Sequence, residues 1–437
     1  MKFSGQEEVN ALIKSGATDL LLPYSLDRRI MGIHLIMTDA CNMNCEYCFY
    51  NKQAMHISDE DALATMDWLL SDSVSASPKE SGRPVDLHVT FFGGEPTMRE
   101  DTVMKTVLHG EEVARKVGKR VSFGVVSNFW DVNPEFVDFT VKHGMSWLAS
   151  YDGFRTQDVT RRRGSNNRVI TNIVRAMAAG AKIMVAQQVS PGHTADLFAD
   201  MKSIFDIGVS AVFQNPVHHG TTPYTEEDFA NLADAFDRIA KMTVRKRLAG
   251  VSPAEWQVAN LEKHIASLQR MAQNPEQLRR FKTEPTDRTC GACKGSLAVG
   301  ADGVIYPCQQ MTREYDRYAM GHVRGDVFRH EIRDKFREEQ FEECRDCAVV
   351  SCAPCRTQNA YRSGGDEGVV PEDVCRYQRL LMYRAMEVLN ELMDKTPWYT
   401  TKPPQQNRGP QQNRSVGSVR EMPGPFPEQT NRFRETP

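Results

Sequence analysis

The sequence has 437 residues, enough for one large domain and a smaller one with a sizeable core. With 40% hydrophobic and 25% charged residues, its composition is that of an ordinary soluble globular protein. A formal net charge of −3 gives no electrostatic reason to expect a nucleic-acid partner. There is no apolar run of membrane-spanning length and no signal-peptide pattern at the N-terminus, so we predict no membrane partner and a cytoplasmic location.

Residues 1–30 form a short, mixed leader segment, and a series of alternating elements follows at 31–220. Apolar β-rich runs separated by amphipathic helical stretches indicate parallel βα units. Six such units predict an α/β fold, a partial (βα)6 TIM-like barrel whose chemistry lies at the carboxyl ends of the strands. The predicted strands are Ile33–Thr38, Val85–Phe92, Val121–Ser127, Ser146–Tyr151, Lys182–Val189 and Ala211–Gln214. The predicted helices are Asp59–Leu70, Thr102–Lys116, Glu135–His143, Val169–Ala179 and Ala195–Phe205.

The chain beyond residue 220 changes in character several times. We predict a helical linker region at 221–283, a cysteine-rich domain at 284–378, a C-terminal helix at 379–395 and a disordered tail at 396–437. The cysteine-rich domain has little regular pattern, and bound metals would hold it together. The tail is rich in Pro, Gln, Asn and Arg and has too few apolar residues to fold alone.

The eleven cysteines carry the strongest chemical information. An odd total, the lack of a secretion signal and the short spacings argue against disulfides and favour thiolate metal ligands. Cys41, Cys45 and Cys48 directly follow the first predicted strand. Three thiolates bind three irons of a cubane cluster and leave the fourth iron open for a substrate or cofactor. Taken alone, the same spacing also fits cysteines that pack on one helix face, or a three-cysteine zinc site.

Polar motifs end the next predicted strands. The second strand closes on Phe91-Phe92-Gly93-Gly94-Glu95-Pro96, the third on Ser127-Asn128 and the fourth on Ser150-Tyr151-Asp152-Gly153, with Arg161-Arg162-Arg163 further on. Two glycines let the backbone approach a ligand closely, and the Glu95 carboxylate can pair with an ammonium group. The arginines also fit a solvated helix start. Gln187 and Gln214, near the ends of the fifth and sixth strands, either line a pocket or are buried amides.

These motifs, in this order, resemble those of the radical S-adenosylmethionine (SAM) superfamily. The resemblance implies that the three cysteines hold a [4Fe–4S] cluster, that SAM chelates its open iron, and that reductive cleavage of SAM gives a 5′-deoxyadenosyl radical that abstracts hydrogen from substrate. It also implies SAM contacts from Tyr47, Gly93, Gly94, Glu95, Ser127, Ser150 and Arg161. Gln157 stands where the family has a His. With Arg161, Arg162 and Arg163 in a row, the choice of the arginine that pairs with the SAM carboxylate stays open.

Eight further cysteines could form two four-thiolate sites: Cys290, Cys293, Cys308, Cys344, Cys347, Cys352, Cys355 and Cys375. Zinc also fills such sites, and the spacing alone leaves it open. The hairpin pattern at 301–308 and the cysteine order resemble the SPASM extension of radical SAM maturases, although two spacings are shorter than the family's. The resemblance implies two auxiliary [4Fe–4S] clusters, one on Cys290, Cys293, Cys308 and Cys355 and the other on Cys344, Cys347, Cys352 and Cys375.

Our leading hypothesis from this resemblance is a radical SAM/SPASM maturase that cross-links or oxidises a ribosomally made peptide or protein. The expected partners are that substrate and a reductant such as flavodoxin or ferredoxin. Because only 40 residues precede Cys41, a leader peptide would be recognised by a separate leader-binding protein, by the helical segment at 225–273, or not at all. Gln309 stands where sulfatase-maturating enzymes have an Asp that serves as the catalytic base. Because Gln cannot accept a proton at ordinary pH, formylglycine formation is not expected. The catalytic base is unassigned, and the nearby carboxylates of Glu314 and Asp316 are either candidates for it or exposed loop charges. The alternatives are a radical SAM oxidoreductase of a carbohydrate or aminocyclitol, and a non-enzymatic, zinc-stapled binding protein.

Overall fold

The computed structural model describes fifteen stretches of the chain. These are residues 30–50, 52–78, 82, 85–217, 223–273, 290–312, 315–325, 329–338, 341, 344, 347, 349, 352, 354–365 and 367–395. All eleven cysteines are among them. The predicted leader, up to residue 29, and the predicted disordered tail, at 396–437, lie outside the described residues, as does Glu314.

A ten-stranded sheet organises the described residues, and its central six strands lie in chain order and pair in parallel. They are β1 (Gly32–Thr38), β2 (Asp86–Gly93), β3 (Arg120–Ser127), β4 (Ser146–Ser150), β5 (Lys182–Val189) and β6 (Ala211–Pro216). The prediction of six parallel strands is therefore confirmed, with strand ends that differ by one or two residues. Because the strands are parallel, their carboxyl ends meet along one edge of the sheet.

Helices between these strands cover one face of the sheet. They are α1 (Asp59–Leu70), α2 (Glu100–Val117), α3 (Pro134–Lys142), α4 (Gln157–Thr160), α5 (Asn166–Ala178) and α6 (Leu197–Asp206). Alternate strand residues such as Leu35, Phe91 and Trp147 are fully buried in the core that these helices share with the sheet. Burial of these apolar side chains on one face is the main stabilising contribution.

The sheet continues past the predicted barrel on both sides. The short β7 (Gln257–Val258) extends it in parallel beyond β6, and β8 (Ser296–Val299) pairs in parallel with β1. From β8 the chain turns into β9 (Val304–Tyr306), and β10 (Gly321–His322) completes an antiparallel edge. Gly303 allows the β8–β9 turn, because its φ of +74° suits glycine. The cysteine-rich region thus begins as part of the barrel sheet, which ends at β7 and β10 and is open.

Three long helices form a second core beside the barrel. They are α7 (Glu226–Leu248), α8 (Ala259–Gln273) and, from the C-terminal part of the chain, α12 (Glu372–Lys395). Thr225 caps α7 through a reciprocal pair of hydrogen bonds with Asp228. The remaining helices are α9 (Tyr315–Tyr318), α10 (His330–Glu338) and α11 (Arg356–Arg362). Among the described helices, none is long and apolar enough to cross a membrane.

Candidate functional site

The first cysteine group lies on the loop that follows β1, at the carboxyl edge of the sheet. The amide of Met43 donates to Cys41 Sγ over 3.4 Å, and the amide of Cys48 donates to the Cys45 carbonyl over 3.2 Å. Cys41 and Cys45 are partly buried, whereas Cys48 is exposed. Burial raises the pKa of Cys41 to about 11, so without a metal its thiol is protonated at neutral pH.

The glycine pair at the end of β2 packs directly against this loop. The Gly94 amide donates to the Thr38 carbonyl over 2.7 Å, and the Glu95 amide donates to the Ala40 carbonyl over 2.9 Å. A Cβ on Gly93 would lie 2.3 Å from the Thr38 oxygen, and one on Gly94 would lie 2.2 Å from the Ala40 oxygen. The two glycines therefore let the backbone of the cysteine loop pack closely against the end of β2. From the sequence alone, we explained them by the close approach of a ligand. Their contact with SAM stays a prediction.

The Glu95 side chain joins the ends of β2 and β3. It is 1% exposed, and its Oε2 accepts a hydrogen bond from the Asn128 amide over 2.7 Å. Its Oε1 accepts from both the amide and the hydroxyl of Thr97, over 3.2 and 2.9 Å. Burial raises the pKa of Glu95, although these hydrogen bonds oppose the shift. Each carboxylate oxygen keeps further acceptor capacity, so pairing with an ammonium group is still chemically open.

Asn128, to which the sequence assigned no role, points its carboxamide at the cysteine loop. Its Nδ2 donates to Asn42 Oδ1 over 2.7 Å and lies 3.7 Å from Cys41 Sγ. The turn that aims it is unusual, since Phe129 has a left-handed φ of 54° and its amide donates to Ser127 Oγ. Ser127, a predicted SAM contact, is thereby used to shape this turn. The only sequence clue to Asn128 was its position next to Ser127 at a strand end.

A buried carboxylate, Asp152, ties the cysteine loop to the ends of β4 and β5. Its Oδ2 accepts from Tyr47 Oη over 2.5 Å and from Thr160 Oγ1 over 2.7 Å. Its Oδ1 accepts from Arg161 Nη2 over 2.9 Å and from the Gln188 amide over 3.0 Å. Asp152 is 1% exposed, and four donors compensate for its burial. Two predicted SAM contacts, Tyr47 and Arg161, therefore meet at a residue that the sequence assigned no role.

The structure separates the three consecutive arginines. Arg161 is buried and its Nη1 lies 4.0 Å from Cys45 Sγ, whereas Arg162 and Arg163 are exposed. Burial acts to lower the pKa of Arg161, but the neighbouring Asp152 raises it above the usual value, so the side chain is cationic. Arg161 Nε is buried and has no hydrogen-bond partner among the described residues. Arg162 also reaches the cysteine loop, where its Nη1 donates to the Asn42 carbonyl over 2.5 Å, but it is exposed. Of the three, Arg161 is the one buried near a cysteine sulfur.

The remaining predicted residues lie at the ends of β4, β5 and β6. Ser150 ends β4 and is half-buried. Gln187 Nε2 donates to the Asp152 carbonyl over 3.1 Å, and Gln214 Nε2 donates to Gln187 Oε1 over 3.0 Å. Both glutamines are buried, so of the two interpretations the structure favours buried, hydrogen-bonded amides. A small cavity near them includes Asp200 in its lining.

The thiols of the second cysteine group gather in two places. Burial and the nearby Cys355 and Cys290 raise the pKa of Cys308. Elsewhere, burial together with Cys344, Cys375 and Cys347 raises the pKa of Cys352 to about 12. Such mutual effects require the thiols of each set to be close together. All eleven cysteines of the chain are free of disulfide bonds.

Seven of the eight predicted ligands thus lie near other members of their predicted group, and their role as cluster ligands stays a prediction. The eighth, Cys293, is buried, has a left-handed φ of 59°, and its Sγ lies 4.0 Å from Met320 Sδ. Its assignment as a ligand stays a prediction. Among the described side chains, no group of three or more His, Cys, Asp or Glu is arranged to hold a metal ion. A cubane binds its thiolates through different irons, so neighbouring thiols that form no disulfide are the feature that fits one.

Comparisons with known proteins bear on this site. No family model matches the chain. The radical SAM cyclopropyl synthase TigE of Paramaledivibacter caminithermalis is 21% identical over 164 residues, which are 34% of this chain and 33% of that protein. The match thus spans about a third of that relative's length. An uncharacterised protein of Archaeoglobus fulgidus is 22% identical over 383 residues, 84% of this chain and 83% of its own length.

Solved structures share the fold. The structure of anSMEcpe with bound AdoMet and the Cp18Cys peptide has a TM-score of 0.62 at 16% identity, and the match covers 84% of this chain and 100% of that one. Streptococcus suis SuiB bound to the precursor peptide SuiA has a TM-score of 0.57 at 12% identity, covering 86% and 82%. The chain therefore shares the fold of these solved structures, and over the 164 matched residues its sequence is similar to a radical SAM enzyme.

Proposed function

We propose that the chain is a radical SAM/SPASM enzyme that modifies a ribosomally made peptide or protein. The observation that carries the proposal is the environment of the first cysteine loop. There, Asn128 Nδ2 and Arg161 Nη1 lie 3.7 and 4.0 Å from the Sγ atoms of Cys41 and Cys45. Nitrogen donors of this kind stabilise thiolates, which is the form that binds iron.

Cys41, Cys45 and Cys48 would hold the [4Fe–4S] cluster. When bound there with SAM, this cluster supplies the electron that cleaves SAM to a 5′-deoxyadenosyl radical. The chain's own part is to hold the loop, through the glycine pair on one side and Asp152 on the other. Arg161 Nε, buried without a described partner, is a cationic donor that fits the SAM carboxylate.

The two gathered sets of C-terminal thiols support auxiliary clusters on this chain. Each set brings together residues that are far apart in sequence, such as Cys308 with Cys355 and Cys352 with Cys375. A disulfide would use two thiols of a set, whereas a four-thiolate cluster uses all of them. We propose that these sets form the two sites of a SPASM extension, with Cys293 as the fourth ligand of the first.

A peptide substrate is the part of the proposal that rests most on comparison. Two structural neighbours, anSMEcpe and SuiB, were solved with peptides bound. We extend that substrate class to this chain, together with a flavodoxin or ferredoxin as reductant and a separate leader-binding protein. Modification by cross-linking or oxidation follows from hydrogen abstraction, because a substrate radical must either form a bond or lose an electron.

The cofactor part of the proposal is tested by anaerobic reconstitution followed by metal analysis and dithionite reduction in the presence of SAM. We expect about twelve irons per chain, for three cubanes, and formation of 5′-deoxyadenosine. About eight irons would favour the small-molecule oxidoreductase. Bound zinc without cleavage of SAM would refute the enzyme and favour the binding protein.

The substrate part is tested by co-expression with each small open reading frame that neighbours the gene. We expect a mass change in one encoded peptide, and we expect the change to disappear when Cys45 is replaced by serine. The Cys45→Ser variant serves as the matched control because it removes a proposed cluster ligand from the loop. If the enzyme cleaves SAM but none of the neighbouring peptides changes mass, the peptide substrate is refuted.

A further inference from the structure

Cationic side chains surround the outer side of the first cysteine loop. Three of them are exposed arginines that follow α4 in the chain, Arg162, Arg163 and Arg168. The fourth is Lys52, which is half-buried and lies four residues after the last cysteine of the loop. We call these four residues the basic face.

Two cations of the basic face bind the backbone of the loop itself. Arg162 Nη1 donates to the Asn42 carbonyl over 2.5 Å, and Lys52 Nζ donates to the Met43 carbonyl over 2.5 Å. Asn42 and Met43 directly follow the first cysteine of the loop. The basic face therefore lies against the segment of the chain that would hold the first cluster.

The indole of Trp130 joins two of these cations. The guanidinium carbons of Arg162 and Arg168 lie 4.0 and 4.3 Å from the centroid of its ring, which is close enough for cation–π attraction. Arg168 also donates to the Trp130 carbonyl over 2.6 Å and to Asp131 over 2.8 Å. The end of β3, the cysteine loop and α5 thus hold the charges in place together.

The basic face lies toward the helix-covered side of the sheet, because Arg168 belongs to the first turn of α5. Helix stability does not explain this arginine, since the dipole disfavours a cation in the first turn and α5 has no acidic residue there. The chain as a whole carries a formal net charge of −3. A local group of cations on such a chain directs an acidic partner to this face.

We propose that the basic face is the docking surface for the acidic protein that reduces the first cluster, a flavodoxin or a ferredoxin. The inference rests on the proposed function and names the surface that its reductant contacts. In the transfer, the donor loses one electron and the cluster proposed on the cysteine loop gains it. Electron transfer slows steeply with distance, and the basic face touches this loop. An acidic peptide substrate fits less well, because it must reach SAM rather than the outer side of the loop.

The test compares flavodoxin binding to Arg168→Glu and Arg120→Glu in the reconstituted full-length enzyme, by anaerobic titration calorimetry. Both arginines are exposed and pair with an exposed aspartate, Asp131 and Asp86 respectively. Arg120 begins β3, whereas Arg168 contacts residues beyond its end, so the control lies at the opposite edge of the sheet. We expect Arg168→Glu to raise the Kd several-fold and Arg120→Glu to leave it unchanged. Added salt should weaken binding to the wild type.

Cleavage of SAM separates docking from chemistry. With flavodoxin as donor, Arg168→Glu should raise the KM for flavodoxin several-fold and keep the maximal rate of 5′-deoxyadenosine formation. With reduced methyl viologen, a small cation, the variant should form 5′-deoxyadenosine at least as fast as the wild type. The second donor also shows that the variant is folded and holds its cluster.

Three results would overturn the inference. They are equal flavodoxin affinities of the two variants, wild-type binding that salt does not weaken, and an Arg168→Glu enzyme that binds a capped hexaglutamate peptide less tightly but flavodoxin equally well. The third result would assign the face to an acidic peptide. The wild-type salt dependence needs no variant that might fail to fold. An enzyme that binds flavodoxin as expected but cleaves SAM with neither donor would refute the proposed function alone.

Discussion

The barrel edge and the cysteine-rich region both gather thiols, but the protein supports them in different ways. At the barrel edge, hydrogen bonds from the ends of several strands hold the loop of Cys41, including Gly94 to Thr38 and Tyr47 to Asp152. In the cysteine-rich region, burial and three other thiols raise the pKa of Cys352, because thiolates that lie close together repel one another. The polypeptide therefore holds the first loop in place by itself, whereas the clusters proposed for the cysteine-rich region would add the metal–thiolate bonds that stabilise it.

The largest effects should come from removing one thiol in each region. Cys45→Ser should abolish cleavage of SAM and lower the iron content from about twelve to about eight per chain, because it removes a ligand of the open cluster. Cys352→Ser should cause a similar loss of iron while SAM cleavage continues. Iron analysis and 5′-deoxyadenosine are the measurements. Equal loss of SAM cleavage in both variants would show that the regions do not act separately.

The second effect concerns the buried pair that supports the barrel edge. Arg161 and Asp152 have side chains 5% and 1% exposed, so Asp152→Ala leaves a buried, uncompensated cation and should cost about 3–5 kcal/mol of unfolding free energy. Urea denaturation measures it. The matched control is Asp86→Ala in the exposed Arg120–Asp86 pair, which should lower the free energy of unfolding far less because solvent screens that pair. Similar costs for the two variants would contradict a preformed site.

The third effect comes from the backbone approach at Gly94. In Gly94→Ala the new Cβ would lie 2.2 Å from a backbone oxygen, so the loop must shift, at a cost of about 1–3 kcal/mol and with loss of iron from the first cluster. Gly295→Ala is the control, because nothing lies within 4 Å of a Cβ there. Thermal unfolding and iron analysis compare them. An unaltered Gly94→Ala enzyme would mean that the cysteine loop tolerates displacement.

The barrel and the position of its site were accessible from sequence because both follow from local patterns. Apolar alternation predicted the strands, and parallel strands bring their carboxyl ends together. The roles of Asp152 and Asn128 were not accessible, because they depend on tertiary contacts. Asp152 meets Tyr47 across 105 residues, and no local pattern encodes that distance. The same holds for β8, whose pairing with β1 joins the cysteine-rich region to the barrel.

A smaller effect concerns Asp200, on α6 beside the barrel edge. Burial raises its pKa to about 6, against about 3.9 in an unfolded chain. Below about pH 4 both states are protonated, whereas above about pH 6 the folded state holds a carboxylate that burial disfavours. Asp200→Asn should therefore stabilise the fold by on the order of 1 kcal/mol at pH 8 and leave it unchanged at pH 4. Urea denaturation at both pH values checks this, and a gain of equal size at pH 4 would contradict it.

The smallest effect concerns the reduction potential of the cluster proposed at the first cysteine loop. Hydrogen bonds to the sulfurs help to set the reduction potential of an iron–sulfur cluster. Asn128 Nδ2 lies 3.7 Å from Cys41 Sγ, so Asn128→Leu should make the potential of the first cluster more negative, by on the order of tens of millivolts. The auxiliary clusters should keep theirs. Redox titration followed by EPR measures both. Asn231→Leu is the control, because that carboxamide donates to Thr194. An unchanged reduction potential of the first cluster would show that Asn128 helps to hold the loop in place but does not affect the potential.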